Sequence, residues 1–75
     1  MNWRELISVD PAVCHGQACV AGTRIPVSVV LDNLAAHISA DEILQSYPGL
    51  HRQAIDACIA YAADLAREQI IALPA

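Results

Sequence analysis

The sequence predicts a mainly α fold: a short N-terminal β-hairpin followed by a three-helix bundle with a helix-turn-helix layout. Three observations lead there. Gly16 and Gly22 bracket a short apolar run, and Pro26 closes the extended region, because the residue before a proline is driven out of the helical basin. From Val27 onward, apolar residues recur at spacings of three and four. Within that helical half, Ser39 with Glu42 forms a helix-start signature and Pro48-Gly49 a stop. The 75 residues make one domain, with residues 1–25 as an extended hairpin arm and residues 26–75 as three helices.

The arm opens with Trp3, the sole tryptophan, read as an anchor against the bundle or across an interface, or as a ring covering the core edge. Leu6 to Val9 form a short apolar segment ended by the turn pair Asp10-Pro11. Ala18 to Val20 form a second extended run, able to pair with that segment or with the extended piece at Arg24 and Ile25. A two-stranded hairpin is marginal alone, so it must lie on helices or on another subunit.

Val27, Val30, Leu31, Leu34 and Ile38 share one face of a first helix that starts at Pro26 and is closed by His37 and Ile38. The second helix is short. Ser39 and Glu42 make its capping box, Asp41 favours its positive end, and it buries Ile43, Leu44 and Tyr47. The third runs from His51 or Arg52 toward Ile70, with Ile55, Cys58, Ile59, Ala62, Leu65 and Ala66 as its apolar stripe. Twenty residues span about 30 Å, more than the other two helices can cover. Ile70, Ile71 and Leu73 are therefore candidates for a partner interface, or for a frayed hydrophobic tail ended by Pro74, and Trp3 near the other terminus is a further interface candidate.

Composition points the same way. Hydrophobic residues are 56% of the chain and charged ones 16%, against roughly 45–50% and about 25% in typical soluble domains. A domain this small has little interior for that surplus, so a homo-dimer, a higher homo-oligomer or a stable hetero-complex is expected. Much of the excess is alanine, which sits on a surface at little cost. Four arginines against eight carboxylates give a net charge of −4, which disfavours non-specific attraction to nucleic acid or anionic membranes. The N-terminus does not read as a signal peptide, no apolar run is long enough to span a membrane, and three cysteines do not suggest a secreted disulfide framework. The expected location is cytoplasmic, with no membrane partner.

Catalytic and metal-binding sets are not evident. Cys14, His15 and Cys19 have ligand chemistry, but no second closely spaced pair follows, and Cys58 lies on a buried stripe where cysteine acts as a small apolar residue. The carboxylates are dispersed, and residues 16–22 lack the lysine of a phosphate loop. The protein is expected not to be an enzyme, and to need no metal or cofactor. Arg24 reads as a fold staple to Asp10, Asp32 or Glu42, or as a contact to a phosphate or a partner carboxylate. Thr23 reads as a turn cap. DNA-binding candidates are Arg24 and the start of the third helix, His51, Arg52 and Gln53, with Asp56 opposing them.

Residues 16–27, G-Q-A-C-V-A-G-T-R-I-P-V, followed by S-A-D-E-I-L-Q-S-Y-P-G-L at 39–50 and A-I-D-A-C-I-A-Y-A at 54–62, resemble the bacterial domain family of unknown function numbered 433. Gly22, Thr23 and Arg24 match its signature, Pro26 the proline that begins its first helix, and Tyr47, Pro48 and Leu50 its inter-helical turn. The resemblance implies a homeodomain-like fold, oligomerisation, and a VapB-type antitoxin role beside a PIN-like toxin, with binding to promoter DNA. It brings no catalytic residues. Gln17 and Ala18 replace the usual lysine and proline, Ala21 a frequent basic residue, His37 a common glycine, and His51 a usual serine or threonine. These departures strip positive charge from the hairpin and leave open a second reading, a homo-oligomeric structural or regulatory protein-binding module without DNA binding.

Overall fold

The structure, a computed structural model, describes residues 2–12 and 16–68. A 3-10 turn, Trp3–Glu5, leads into strand β1, Ile7–Val9, which pairs antiparallel with β2, Ala18–Val20. Helices α1, Val27–Ala35, α2, Ala40–Ser46, and α3, Arg52–Glu68, follow. This is the mainly helical fold with a short leading hairpin that the sequence predicts. The 3-10 turn has no signature of its own in the sequence; Asn2 caps it by accepting from the Arg4 amide.

Both pairings open to β2 occur together. Ile7 opposes Val20 and Val9 opposes Ala18 on one side, while Cys19 bridges to Pro26 on the other, where the Val20 amide donates to the Ile25 carbonyl at 3.0 Å. The turn between them holds this arrangement. Gly22, third of the four residues starting at Val20, has φ +79°, the left-handed value that a type II turn requires there. Thr23 caps it as expected: its hydroxyl donates to the Val20 carbonyl at 2.8 Å and accepts from the Ile25 amide at 3.1 Å.

Helix α1 ends three residues before Ile38, at Ala35, because His37 turns left-handed with φ 65°. The His37 amide donates to the Leu34 carbonyl and the Ile38 amide to the Asn33 carbonyl, each at 3.0 Å. That pair of bonds is the Schellman closure, which satisfies carbonyls the helix leaves open. Helix α2 has the predicted capping box: the Ser39 hydroxyl accepts from the Glu42 amide, and the Glu42 carboxylate reaches back to the Ser39 amide. A β-turn from Tyr47 to Leu50, closed by a 2.9 Å bond between their backbones, leads to α3.

The core lies where the hairpin and three helices meet. Val27 and Val30 from α1, Ile43 from α2, Ala54, Ile55, Ala57 and Cys58 from α3, and Ile7 and Val20 from the hairpin are all buried there with Leu50. Complete burial of a side chain such as Val30 or Ile43 contributes about 1.5–3 kcal/mol. Leu44 and Tyr47 are half-buried beside them, so α2 is held chiefly by Ile43. No helix among the described residues is long and apolar enough to cross a membrane.

Candidate functional site

Periodicity directs more residues inward than the core covers. In the hairpin, directly opposed residues share a face and alternate residues repeat it. Val9 and Ala18 therefore face the same way as Ile7 and Val20, yet Val9 is 63% exposed while Ile7 and Val20 are buried. Leu65 tells the same story on α3. It continues the stripe of Ala54, Cys58 and Tyr61 at spacings of four and three, but is 41% exposed where Ala54 and Cys58 are sealed. The cause is length. Seventeen residues carry α3 about 26 Å, whereas the nine of α1 reach about 14 Å.

The result is an open groove of about 370 Å³ at one end of the core. Gln17 and Ala18 line it from the hairpin, Val27, Ser28 and Leu31 from α1, and Tyr61 and Leu65 from α3. None of these residues is charged, so the surface offered to a partner is apolar with a few hydroxyl and amide groups. Ile59, placed by the sequence on the same stripe as Leu65, is instead 48% exposed on the flank of α3.

The outer part of α3 is held by the N-terminal arm. The Trp3 indole N–H donates to the Asp64 carboxylate, and the Trp3 ring meets Tyr61 edge-on, with centroids 4.9 Å apart and planes at 78°. The Arg4 guanidinium lies 4.6 Å from the Trp3 ring centroid, and Arg67 donates to Asp64 at 3.0 Å. Trp3 thus anchors the arm to the bundle within one chain, and Tyr61 connects this anchor to the groove. Ile70, Ile71 and Leu73, the other residues proposed for a partner interface, lie outside the described residues.

His51, Arg52 and Gln53 stand together, exposed, at the start of α3. Arg52 forms an ion pair with Asp41 of α2, and Asp56 is exposed one turn along, so acidic groups surround the single arginine of this end. Arg24 is exposed in the connection between β2 and α1 and is engaged in an interaction of its own.

Among the described residues no cluster of three or more His, Cys, Asp or Glu is placed to hold a metal. Cys14 and His15 lie outside them, and Cys19 is buried and disulfide-bonded, so its sulfur is not a free thiolate. Cys58 is a buried free thiol, and burial pushes its pKa up to about 11, which keeps it protonated and unreactive near neutrality.

Comparison with known proteins gives three matches. A model of the family described as "Protein of unknown function (DUF433)" matches residues 7–62. The uncharacterized protein y4eO of Sinorhizobium fredii (strain NBRC 101917 / NGR234) is 34% identical over 59 residues, which are 79% of this chain and 27% of that protein. The crystal structure of a DUF433 member from Anabaena variabilis ATCC 29413 superposes with a TM-score of 0.76 at 32% identity, covering 84% of this chain and 62% of that one. The chain thus spans about a quarter of the length of the Sinorhizobium relative and under two thirds of the crystallised one.

Proposed function

The chain belongs to the DUF433 family of proteins of unknown function, and from that premise we propose that it is a homo-oligomeric, structural or regulatory protein-binding module that works without binding DNA. One observation carries this: Leu65 faces inward by periodicity yet is 41% exposed on the lining of an uncharged groove, and Val9, opposite the lining residue Ala18, is 63% exposed beside it. A second chain laid over these side chains would supply the missing layer, and the contact area so gained would be apolar. No catalytic step is assigned to the module.

The finer alternative is the antitoxin role. There, a PIN-like toxin would be an unlike occupant of the groove, and promoter DNA would meet His51, Arg52 and Gln53. The net charge of −4, the Arg52–Asp41 pair and the nearby Asp56 all weigh against the DNA half. Two measurements on the full chain test the proposal. Light scattering across a concentration series is expected to give an oligomer, and titration of fluorescent promoter DNA at low salt is expected to give no binding. A monomer at every concentration that binds DNA in the micromolar range would overturn it.

A further inference from the structure

We propose that residues 2–5 form a strap that opens apart from the rest of the fold, and that its closed position sets one wall of the groove through Tyr61. This goes beyond the binding reading above, because it concerns how the groove is shaped and not what fills it. The segment is built for local release. Its 3-10 turn buries no residue, and Asn2, Arg4 and Glu5 are exposed. Just beyond it the chain is fixed: the Leu6 carbonyl accepts from the Ala21 amide at 2.8 Å, and Ile7 is buried in the core. Ahead of that point the turn is fastened to the bundle by the side chain of Trp3, half-buried at the core edge. A segment with so little buried apolar contact opens at a lower free energy than the core does.

Both sides of the fastening keep a partner when it opens. Asp64 retains Arg67, which lies on α3 and donates to it at 3.0 Å, so the carboxylate is not left bare when the indole N–H departs. Trp3 retains Arg4, whose guanidinium lies 4.6 Å from the ring centroid and travels with the same turn. What opening breaks is the indole to carboxylate bond and the edge-on contact of Trp3 with Tyr61. Tyr61 carries the consequence to the groove. It is half-buried, it lines the groove together with Leu65 one turn further on, and its ring is held by Trp3 at a centroid distance of 4.9 Å. With the strap closed, that contact selects one rotamer of Tyr61. With Trp3 away, other staggered wells become accessible to the ring, and the groove runs on past Tyr61 to the surface that Trp3 leaves.

The sole tryptophan makes the strap its own reporter. Urea unfolding of the full chain, followed by Trp3 emission and by far-UV circular dichroism at one protein concentration, is expected to give two transitions, with the emission shifting to the red at lower urea than the helices are lost. Asp64→Ala removes the acceptor of the indole while keeping a strong helix former. It is expected to raise the open population on the order of tenfold, and to move the emission transition further than the dichroism transition. For the groove, the probe is the uncharged dye Nile red. Trp3→Ala is expected to bind it severalfold more tightly than wild type, and Ser39→Ala, which weakens the cap of α2 away from the strap, to bind it as wild type does. If Trp3→Ala loses its helical dichroism, Asp64→Ala carries the dye measurement. Coincident transitions in wild type and Asp64→Ala would make the arm part of one cooperative unit and overturn the strap. Unchanged dye binding, or an equal gain in Ser39→Ala, overturns its control of the groove. Either failure leaves the oligomer reading standing on its own light-scattering test.

Discussion

Replacing His37 with glycine should stabilise the protein. His37 is exposed and makes the end of α1 with φ 65°, where a residue with a Cβ is strained by about 1–2 kcal/mol. Glycine removes that strain and keeps both backbone bonds of the closure, from His37 to Leu34 and from Ile38 to Asn33. Against the gain stands the greater freedom of glycine in the unfolded chain, worth about 0.5–1 kcal/mol. The balance lies between about 0 and 1.5 kcal/mol of net stabilisation, and its centre, roughly 0.75 kcal/mol, is a rise in Tm of about 3–6 °C for a domain of this size. His37→Val should move the other way by more than about 1 kcal/mol, because a β-branched residue suits this backbone least. Thermal and urea unfolding followed by circular dichroism would measure both, at one fixed protein concentration because association raises apparent stability. Equal stability of the glycine, valine and histidine forms would refute the reasoning, since it would mean that position 37 carries no backbone strain.

Two further outcomes are expected. Ser39→Ala removes the side-chain cap of α2 and should cost about 1 kcal/mol in urea unfolding; no loss would mean that the first turn of α2 contributes little to the folded state. Cys58 should make stability depend on alkaline pH. Burial raises its pKa in the folded chain to about 11 from 9.0, so its contribution is complete below about pH 9 and is lost as pH rises toward 11, on the order of 2–3 kcal/mol. Comparing the unfolding free energies of wild type and Cys58→Ala between pH 8 and 11 isolates this effect, and parallel curves would remove it.

Local chemistry was readable in the chain wherever one or two residues decide the backbone. Ser39 with Glu42, Gly22 with Thr23, and Pro26 each act through their immediate neighbours, and each stands where the sequence predicts. The end of α1 was less legible because histidine, though enriched at positive φ among residues with a Cβ, signals it far more weakly than glycine; the closure by residues 37 and 38 and the glycine common at position 37 in the resembling family could be read, but not the loss of the last helical turn. Burial on α3 was harder still. The three-four spacing orients Leu65 toward the core, but whether anything meets it depends on how far α1 and the hairpin reach. The excess length of the third helix was legible, whereas the groove that it leaves with Ala18, Val27 and Leu31 required the three-dimensional arrangement. The Trp3 to Asp64 bond joins residues 61 apart in sequence, and no local pattern announces it.

That bond also decides how load on the arm is carried. Trp3, from the first described turn, and Arg67, from the last turn of α3, both donate to the Asp64 carboxylate, so that one side chain fastens the leading turn to the far part of the helix. A pull on the N-terminal arm is therefore borne by a helix in the core and not by the two-stranded hairpin alone, which is marginal by itself.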